Sequence, residues 1–159
     1  FSEHGLDCTI ARLFNTVGPR QSGQYGMVIP TFVQRALAGT TLEIHGDGTQ
    51  TRSFLYVDEC LEGSIRLMRS DWREPVNIGS NEMVSINGLA EMIMSVAGKN
   101  VRLRHVPGPL GVAGRNSDNR LIEKVLGWRP SAKLRDGIAK TYPWIERQVR
   151  SWDGDRAVS

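Results

Sequence analysis

The chain has 159 residues, of which 40% are hydrophobic and 23% are charged, and its formal net charge is +3. This is the composition of an ordinary globular domain, and the small, scattered positive excess argues against a nucleic-acid groove or an anionic membrane surface as partner. No apolar run approaches the roughly 18 residues of a membrane-spanning helix. The two cysteines, Cys8 and Cys60, form neither a disulfide scaffold nor a zinc pattern, and both are expected to be buried thiols in a reducing cytoplasm.

Turn residues and apolar periodicity predict alternating strands and helices along the first half of the chain. A β-type run over 9–15 stops at the turn residues Gly18-Pro19, and a glycine- and glutamine-rich loop follows over 20–29. We expect the first helix to begin at Pro30, because proline suits the first helical position, and to end at Gly39.

Two extended segments, 42–45 and 52–57, flank a Gly-Asp-Gly turn. Asp58 is expected to cap the following helix through its carboxylate. That helix is predicted to present one apolar stripe. The stripe consists of Leu61, Ile65, Leu67 and Met68.

The second half of the chain continues the alternation. The strands are expected at 75–80 and 101–106. The helices are expected from Ser85 to Gly98, from Ser117 or Asp118 to Gly127, and over 134–149 with a kink at Pro143. Residues 151–159 are polar and are expected to form a frayed tail. The whole pattern predicts an α/β fold, with too few parallel strands for a complete doubly wound sheet.

A glycine-rich segment, Gly108 to Gly114, has the spacing Gly-x-x-Gly-x-x-Gly, which can bind a dinucleotide at a helix N-terminus. Pro107 and Pro109 stiffen this segment and no apolar helix follows at once, so we interpret it as a loop that presents Arg115. The sequence contains no Tyr-x-x-x-Lys pair, which would place an acid/base phenol beside an ammonium group. The three histidines lack the spacing of a metal site. No catalytic residue is therefore assigned.

Four segments together resemble the extended short-chain dehydrogenase/reductase family of NAD-dependent nucleotide-sugar epimerases, dehydratases and decarboxylases. The segments are 11–19 (ARLFNTVGP), 46–54 (GDGTQTRSF), 76–80 (VNIGS) and 126–130 (LGWRP). The resemblance implies a Rossmann-type α/β fold, in which residues 1–150 form the C-terminal, sugar-nucleotide-binding part with its small substrate-binding subdomain. The N-terminal half, which binds NAD in such enzymes, is expected to be absent from this chain.

Different segments resemble different members of this family. Residues 70–145 resemble the GDP-mannose 3,5-epimerases, most clearly in segments 70–80 and 114–119. Residues 18–30 instead resemble the UDP-glucuronate decarboxylases and the UDP-sugar 4-epimerases. The 3,5-epimerases have an acid/base lysine at the position of Val28, and a valine cannot transfer a proton. The resemblance therefore leaves the base, the sugar and the reaction open.

The resemblance implies that Asn15, Arg52 and Arg115 contact the nucleotide sugar. Asn15 would meet the sugar near the nicotinamide, and the alternative is an asparagine that only stabilises a turn. The two guanidinium groups would bind the pyrophosphate through charge-assisted, bidentate hydrogen bonds. The alternative for each arginine is an exposed surface ion pair.

Four further residues are candidates for the same site. Val28, with its apolar neighbours, would line the ligand cleft or would only pack at the start of a helix. Gln50 would reach the nucleotide, or would face solvent in its turn. Leu13 and Phe14 would touch the nicotinamide in a complete enzyme, or would belong to the core of this chain.

The sequence therefore predicts the nucleotide-sugar recognition half of an NAD-dependent epimerase/dehydratase, with a GDP- or UDP-linked sugar as its ligand. We expect this chain to be catalytically inert and to bind no NAD by itself. The alternative is a stand-alone nucleotide-sugar binding or self-associating module from a split gene. Exposed sheet edges and apolar surface would favour a homo-oligomer or pairing with the missing half. Neither nucleic acid nor a membrane is an expected partner.

Overall fold

A computed structural model describes residue 5 and residues 7–21, 27–109 and 111–156 of the chain. The strands are β1 (Ala11–Leu13), β2 (Thr16–Val17), β3 (Leu42–His45), β4 (Thr51–Ser53), β5 (Leu55–Tyr56), β6 (Val76–Ile78), β7 (Met83–Ser85), β8 (Leu103–Val106) and β9 (Gly114–Arg115). The helices are α1 (Val28–Leu37), α2 (Val57–Met68), α3 (Ile86–Ala97), α4 (Arg120–Leu126) and α5 (Leu134–Arg156). The strands pair as β1-β6, β2-β5, β3-β8 and β7-β4-β9, and only β4-β7 is antiparallel among these pairs. The predicted α/β fold is confirmed.

The elements pack into two groups, each with its own core. The smaller group, called the β1-β6 body, consists of the parallel strand pair β1-β6 with helices α2 and α4 packed against it. The register sets Leu13 opposite Ile78. Gly63 allows α2 to lie close to the core, because a Cβ there would come within 2.8 Å of the Trp128 ring and 3.0 Å of Ile78 Cγ2. The buried core of this body is Leu55, Cys60, Leu67, Val76, Ile78 and Ile122.

The larger body, the three-helix body, consists of α1, α3 and α5, which pack on one another and cover the parallel pair β3-β8 on the α1 and α3 side. Each helix contributes an apolar stripe at helical spacing. Its buried core includes Ile29, Phe32, Val33, Ala36, Leu42, Ile44, Leu89, Ala90, Ile93, Leu134, Ile138, Tyr142 and Ile145. This core contains more buried residues than that of the β1-β6 body.

Helix α3 has the two ends that the sequence predicts. The Ser85 side chain accepts a hydrogen bond from the Gly88 amide at 3.0 Å, which satisfies one of the free amides of the first turn. Gly98 ends the helix with φ 61°, a left-handed conformation that glycine adopts without steric cost.

Two helices begin elsewhere than predicted. Helix α1 begins at Val28 rather than Pro30, and proline is tolerated at the third position because amides in the first turn have no intrahelical partner. Helix α2 begins at Val57, and its N-cap, Tyr56, makes no side-chain capping bond. Asp58 lies inside the first turn, where the helix dipole favours a carboxylate.

The last two helices follow the prediction in part. Helix α4 ends at Gly127 as predicted, but its N-cap is Asn119, which makes no side-chain capping bond. Helix α5 continues through Pro143 to Arg156, past the start of the predicted frayed tail. Residues 157–159 lie outside the described residues.

The outer surface of the β1-β6 body differs from the prediction. Leu61 and Met68 are 56% and 67% exposed, and Ile65 is also exposed, whereas Leu67 is buried. The predicted stripe is divided because α2 buries Cys60 and Gly63 beside Leu67 instead. All three residues of β1 are exposed as well.

The two cysteines also differ from each other. Cys60 is buried as predicted, whereas Cys8 is exposed, and both are free. Cys8 lies three residues before β1, whose residues are exposed as well. Among the described residues, no helix has the length and apolar character needed to cross a membrane.

Candidate functional site

Two adjoining clefts open beyond the carboxyl end of β1. The first cleft, of about 1010 Å³, is lined by residues 12–21 together with Met27, Val57, Arg115 and Asn116. The second cleft, of about 480 Å³, lies between α1, β3 and the segment that leads into β4. The two clefts share four lining residues, Asn15, Thr16, Gln21 and Met27.

Arg52 and Arg115 are direct neighbours across two strands. The parallel pairing of β4 with β9 sets Arg52 opposite Arg115, so the two residues stand at the same level of the sheet. Arg52 lines the second cleft and Arg115 lines the first. The structure thus brings together two residues that are far apart in the sequence.

Backbone carbonyl groups hold the Arg52 guanidinium. Its Nη1 donates to the carbonyl oxygen of Thr51 at 2.7 Å and to that of Val112 at 2.8 Å. Val112 belongs to the glycine-rich segment that the sequence analysis interprets as a presenting loop. This segment leads into strand β9 rather than into a helix N-terminus, so it lacks the context of a dinucleotide-binding turn. The same segment therefore presents Arg115 and also orients Arg52.

Asn15 links the end of β1 to the neighbouring strands. Its carbonyl oxygen accepts from the Leu55 amide at 2.7 Å, and its Nδ2 donates to the carbonyl oxygen of Ser53 at 3.1 Å. Asn15 nevertheless is one of the residues that line both clefts. The geometry is compatible with both alternatives, a structural turn residue and a ligand contact.

Two glutamines, Gln21 and Gln50, are among the residues that line the second cleft. In each of them the amide nitrogen is hydrogen-bonded and the amide oxygen is not, within the described part of the chain. Gln50 Nε2 donates to the carbonyl oxygen of His45 at 2.9 Å, and Gln21 Nε2 donates to that of Thr16 at 3.0 Å. The Oε1 atoms of both are buried and have no hydrogen-bond partner among the described residues. A buried acceptor without a donor is costly. Gln50 is among the residues predicted from the sequence, whereas Gln21 is not, because its only sequence signal is the glutamine content of its loop.

The remaining predicted residues lie at the same site. Val28, the first residue of α1, is half-buried and lines the second cleft. Leu13 lines the first cleft and is 55% exposed. Its alternative as a core residue is therefore wrong, because none of the described elements covers its side chain. Phe14 is half-buried and packs against Gly79, where a Cβ would come within 2.8 Å of Phe14 Cβ.

A buried polar network fastens the segment that follows Arg115. Ser117 Oγ donates to Asn119 Oδ1 at 2.7 Å, and Asn119 Nδ2 donates to the carbonyl oxygen of Gly79 at 2.9 Å. The Ser117 amide also bonds to the carbonyl oxygen of Ser80. The end of β6 thereby fixes the position of Arg115. Sequence reasoning missed Asn119, because its partner is 40 residues away.

Charged side chains form one wall of the second cleft. Glu43 accepts hydrogen bonds from Arg104 and from Arg35 Nη2, the latter at 3.0 Å, and these bonds lower the pKa of the Glu43 carboxyl. Burial raises the pKa values of Tyr56 and Tyr142, and neither residue lines the two clefts. Groups of three or more potential metal ligands are absent from the described residues.

Comparison with known proteins agrees with this architecture. The pattern of the NAD dependent epimerase/dehydratase family matches residues 1–79. GDP-mannose 3,5-epimerase of Arabidopsis thaliana is 48% identical over 150 residues, which are 92% of this chain and 40% of that protein. UDP-glucuronic acid decarboxylase 6 of the same plant is 39% identical over 93% of this chain and 42% of that protein. The chain thus spans about two-fifths of the length of these relatives.

Solved structures give the same result. UDP-glucose 4-epimerase from Thermotoga maritima, solved with UDP-glucose, superimposes with a TM-score of 0.85 at 29% identity over 93% of this chain and 48% of that one. UDP-glucuronic acid 4-epimerase from Bacillus cereus, solved with UDP-glucuronic acid and NAD, has a TM-score of 0.84 at 28% identity over 92% of this chain and 48% of that one. The chain belongs to the NAD dependent epimerase/dehydratase family of extended short-chain dehydrogenase/reductases, and its fold is that of the C-terminal part of such an enzyme.

Proposed function

We propose that the chain recognises a nucleotide sugar and that Arg52 and Arg115 bind its pyrophosphate. The observation that carries this proposal is the pairing of the two arginines on adjacent strands, one at each cleft. A pyrophosphate that joins a nucleoside to a sugar needs donors on both phosphates, and paired guanidinium groups supply them in a bidentate geometry.

The lining of the clefts supports a division of the ligand between them. The first cleft opens at the carboxyl end of a parallel strand, the usual place for the reacting part of a ligand, and Asn15 would contact the sugar there. The second cleft would receive the nucleoside, with Val28 against an apolar face of the base. Gln50 and Gln21 would contact the ligand after their side chains turn towards the second cleft, because their Oε1 atoms are buried in this structure.

We propose that the reaction of a complete enzyme of this family requires NAD and a part of the protein that binds it, in addition to the residues of this chain. NAD would supply transient oxidation and reduction of the sugar in a complete family member. Among the described residues there is no glycine-rich turn between a strand and a helix N-terminus that would bind the pyrophosphate of a dinucleotide. Leu13 and Phe14 would only border the nicotinamide of a complete enzyme, and this chain alone would be inert.

Isothermal titration calorimetry with UDP-glucose, UDP-glucuronic acid and GDP-mannose tests the pyrophosphate site. Arg52→Ala and Arg115→Ala should each weaken binding about 10- to 100-fold, as expected for the loss of hydrogen bonds to a charged group. Arg150→Ala, an exposed arginine paired with Glu146 on α5, should bind like the unsubstituted chain. Unchanged affinity in both cleft variants would refute the pyrophosphate site. NADH formation by the purified chain would contradict its inertness.

We propose self-association as a second function, from the exposed apolar residues of the β1-β6 body. Leu13, Leu61 and Met68 are each more than half exposed, and β1 pairs with β6 alone among the described strands. Sedimentation velocity over a concentration series should show association that a Leu61→Lys/Met68→Lys variant reduces. A monomer at all concentrations would rule out this function.

We propose that the protein resides in the cytoplasm, because both cysteines are free thiols and one is exposed. Reducing compartments preserve such thiols. Microscopy of a fluorescent fusion of the full-length protein tests this, and a secreted or organelle-bound fusion would contradict it.

A further inference from the structure

The turn between β3 and β4 leads directly into two of the proposed ligand contacts, Gln50 and Arg52. Gly46 and Gly48 adopt φ 73° and 74°, a left-handed conformation suited to glycine. Within the turn, Asp47 Oδ1 accepts from the Thr49 amide at 2.9 Å. The chain then passes directly to Gln50 and Arg52, so the placement of this turn sets the position of both side chains.

The N-terminus of α3 holds this turn from outside. The Ile86 amide donates to the carbonyl oxygen of Gln50, and the Asn87 amide donates to that of Gly48, each at 3.1 Å. Two amides that would otherwise lack a partner in the first helical turn are thereby used to fix the turn.

The side chain of Asn87 completes this attachment. Its Nδ2 donates to the carbonyl oxygen of Asp47 at 2.9 Å, and its Oδ1 lies 2.9 Å from His105 Nε2. Asp47 O can only accept, so the amide must present its nitrogen to Asp47 and its oxygen to His105. Because the amide oxygen can only accept, His105 Nε2 on β8 is the donor in this contact and helps to hold the Asn87 amide in that orientation.

The contact leaves no space between the turn and the asparagine. A Cβ on Gly48 would come within 2.1 Å of Asn87 Oδ1 and 2.6 Å of its Cγ. Asn87 itself is not part of the lining of either cleft, so it does not touch the space proposed for the ligand.

We propose that Asn87, oriented by His105, is a positioning residue that places Gln50 and Arg52 for ligand binding by fastening the 46–50 turn. This inference rests on the proposed nucleotide-sugar function for its ligand. Asn87 lies outside both clefts and would contact no ligand there, so its replacement should weaken binding only by displacing Gln50 and Arg52.

The isosteric change Asn87→Asp separates positioning from a general role in stability. It keeps the shape of the side chain, the backbone bonds and an acceptor for His105. It also adds a negative charge to the first turn of α3, which has no acidic residue and where a carboxylate is favoured. It removes the donor to Asp47 O and sets one oxygen against another, so the turn should loosen while the global fold persists.

Two readouts on the same chain test the proposal. In Asn87→Asp, amide hydrogen exchange of residues 46–52 without ligand should become about tenfold faster, and the affinity for the nucleotide sugar that binds best should fall about tenfold, the upper range for one hydrogen bond. The thermal midpoint should stay near that of the unsubstituted chain. Asn100→Asp, the same change at an exposed position past the other end of α3, should alter neither readout.

His105 provides a second pair of variants if Asn87→Asp does not fold. His105→Gln retains a donor and should behave like the unsubstituted chain, whereas His105→Leu should raise exchange in the turn about threefold, since it loses one exposed hydrogen bond. Equal exchange in the turn for Asn87→Asp, or for His105→Leu, would overturn the proposal. Faster exchange with unchanged affinity would also overturn it, provided that Arg52→Ala binds more weakly. If the unsubstituted chain binds no nucleotide sugar, the proposed function fails, and hydrogen exchange alone still decides whether Asn87 fastens the turn.

Discussion

The β1-β6 body and the three-helix body complete their cores to different degrees. In the three-helix body, α1, α3 and α5 pack on one another, and the apolar stripe of each helix is covered. In the β1-β6 body, α2 buries one face and exposes Leu61, Ile65 and Met68 on another. Strand β1 is exposed along its length. One body is therefore closed by its own elements, and the other presents an apolar side to its surroundings.

The two clefts proposed for the ligand lie on different bodies. The second cleft, the β3-β4 turn and Asn87 all belong to the closed body or border it, so their geometry depends on a core that this chain completes alone. The first cleft lies along β1, on the open body, and its wall includes the exposed Leu13. The proposed nucleoside contacts in the second cleft should therefore depend less than the proposed sugar contacts in the first cleft on a partner that covers the exposed side of the β1-β6 body.

The largest effect should distinguish the two faces of α2. Leu67→Ala should lower the free energy of unfolding by about 2–5 kcal/mol, the range for a fully buried leucine, since Leu67 is only 1% exposed. Leu61→Ala, the same change on the same helix at an exposed position, should stay within about 0.5 kcal/mol. Urea denaturation followed by circular dichroism measures both. Comparable losses would mean that the outer face of α2 is covered in solution.

A smaller effect is expected where the end of β6 holds the Arg115 segment. Asn119→Ala should cost about 1–3 kcal/mol, because it leaves buried groups of Ser117 and Gly79 without partners. It should also weaken nucleotide-sugar binding by loosening Arg115. Asn81→Ala, at an exposed position near the end of β6 and outside both clefts, should change neither stability nor binding. Denaturation and calorimetry on the same samples decide whether the network supports the fold alone or the site as well.

The smallest effect concerns the acid stability of the closed body. Bonds from Arg104 and Arg35 lower the folded-state pKa of Glu43 below its ordinary value of 4.5, so the unfolded chain binds protons first as the pH falls. The stabilisation is therefore complete above that value and is lost on acidification through the folded-state pKa. Glu43→Gln should reduce the fall in thermal midpoint between about pH 6 and pH 3, whereas the exposed control Glu74→Gln should not. Identical acid profiles would assign the effect to other groups.

Much of the secondary structure was predictable because its signals are local. Ser85 and Gly98 bound α3 as expected, and Gly127 ends α4, since side-chain capping and left-handed glycine depend on a few neighbouring residues. The starts of α1 and α2 were misplaced because Pro30 and Asp58 suit more than one position in a first helical turn.

The candidate site was predictable only as separate residues. Arg52 and Arg115 were named from the family resemblance, but their direct pairing depends on the register of β4 with β9. Asn87 and Asn119 carried no sequence signal for their roles, because each bonds to a carbonyl group 40 residues away. The type of a residue determines which hydrogen bonds its side chain can make. The packing of distant segments determines which of these hydrogen bonds form.

The sequence by itself determined the alternation of strands and helices, most of their ends and the family, and it named the two arginines proposed for the site. These features follow from local sterics, capping and a pattern of motifs in a fixed order. The tertiary structure decided which apolar residues of α2 are buried, that the two arginines adjoin, and that α3 and β8 fasten the β3-β4 turn. Each of these three features depends on contacts between segments that are far apart in the chain. Such contacts stabilise the protein only after the segments have packed together.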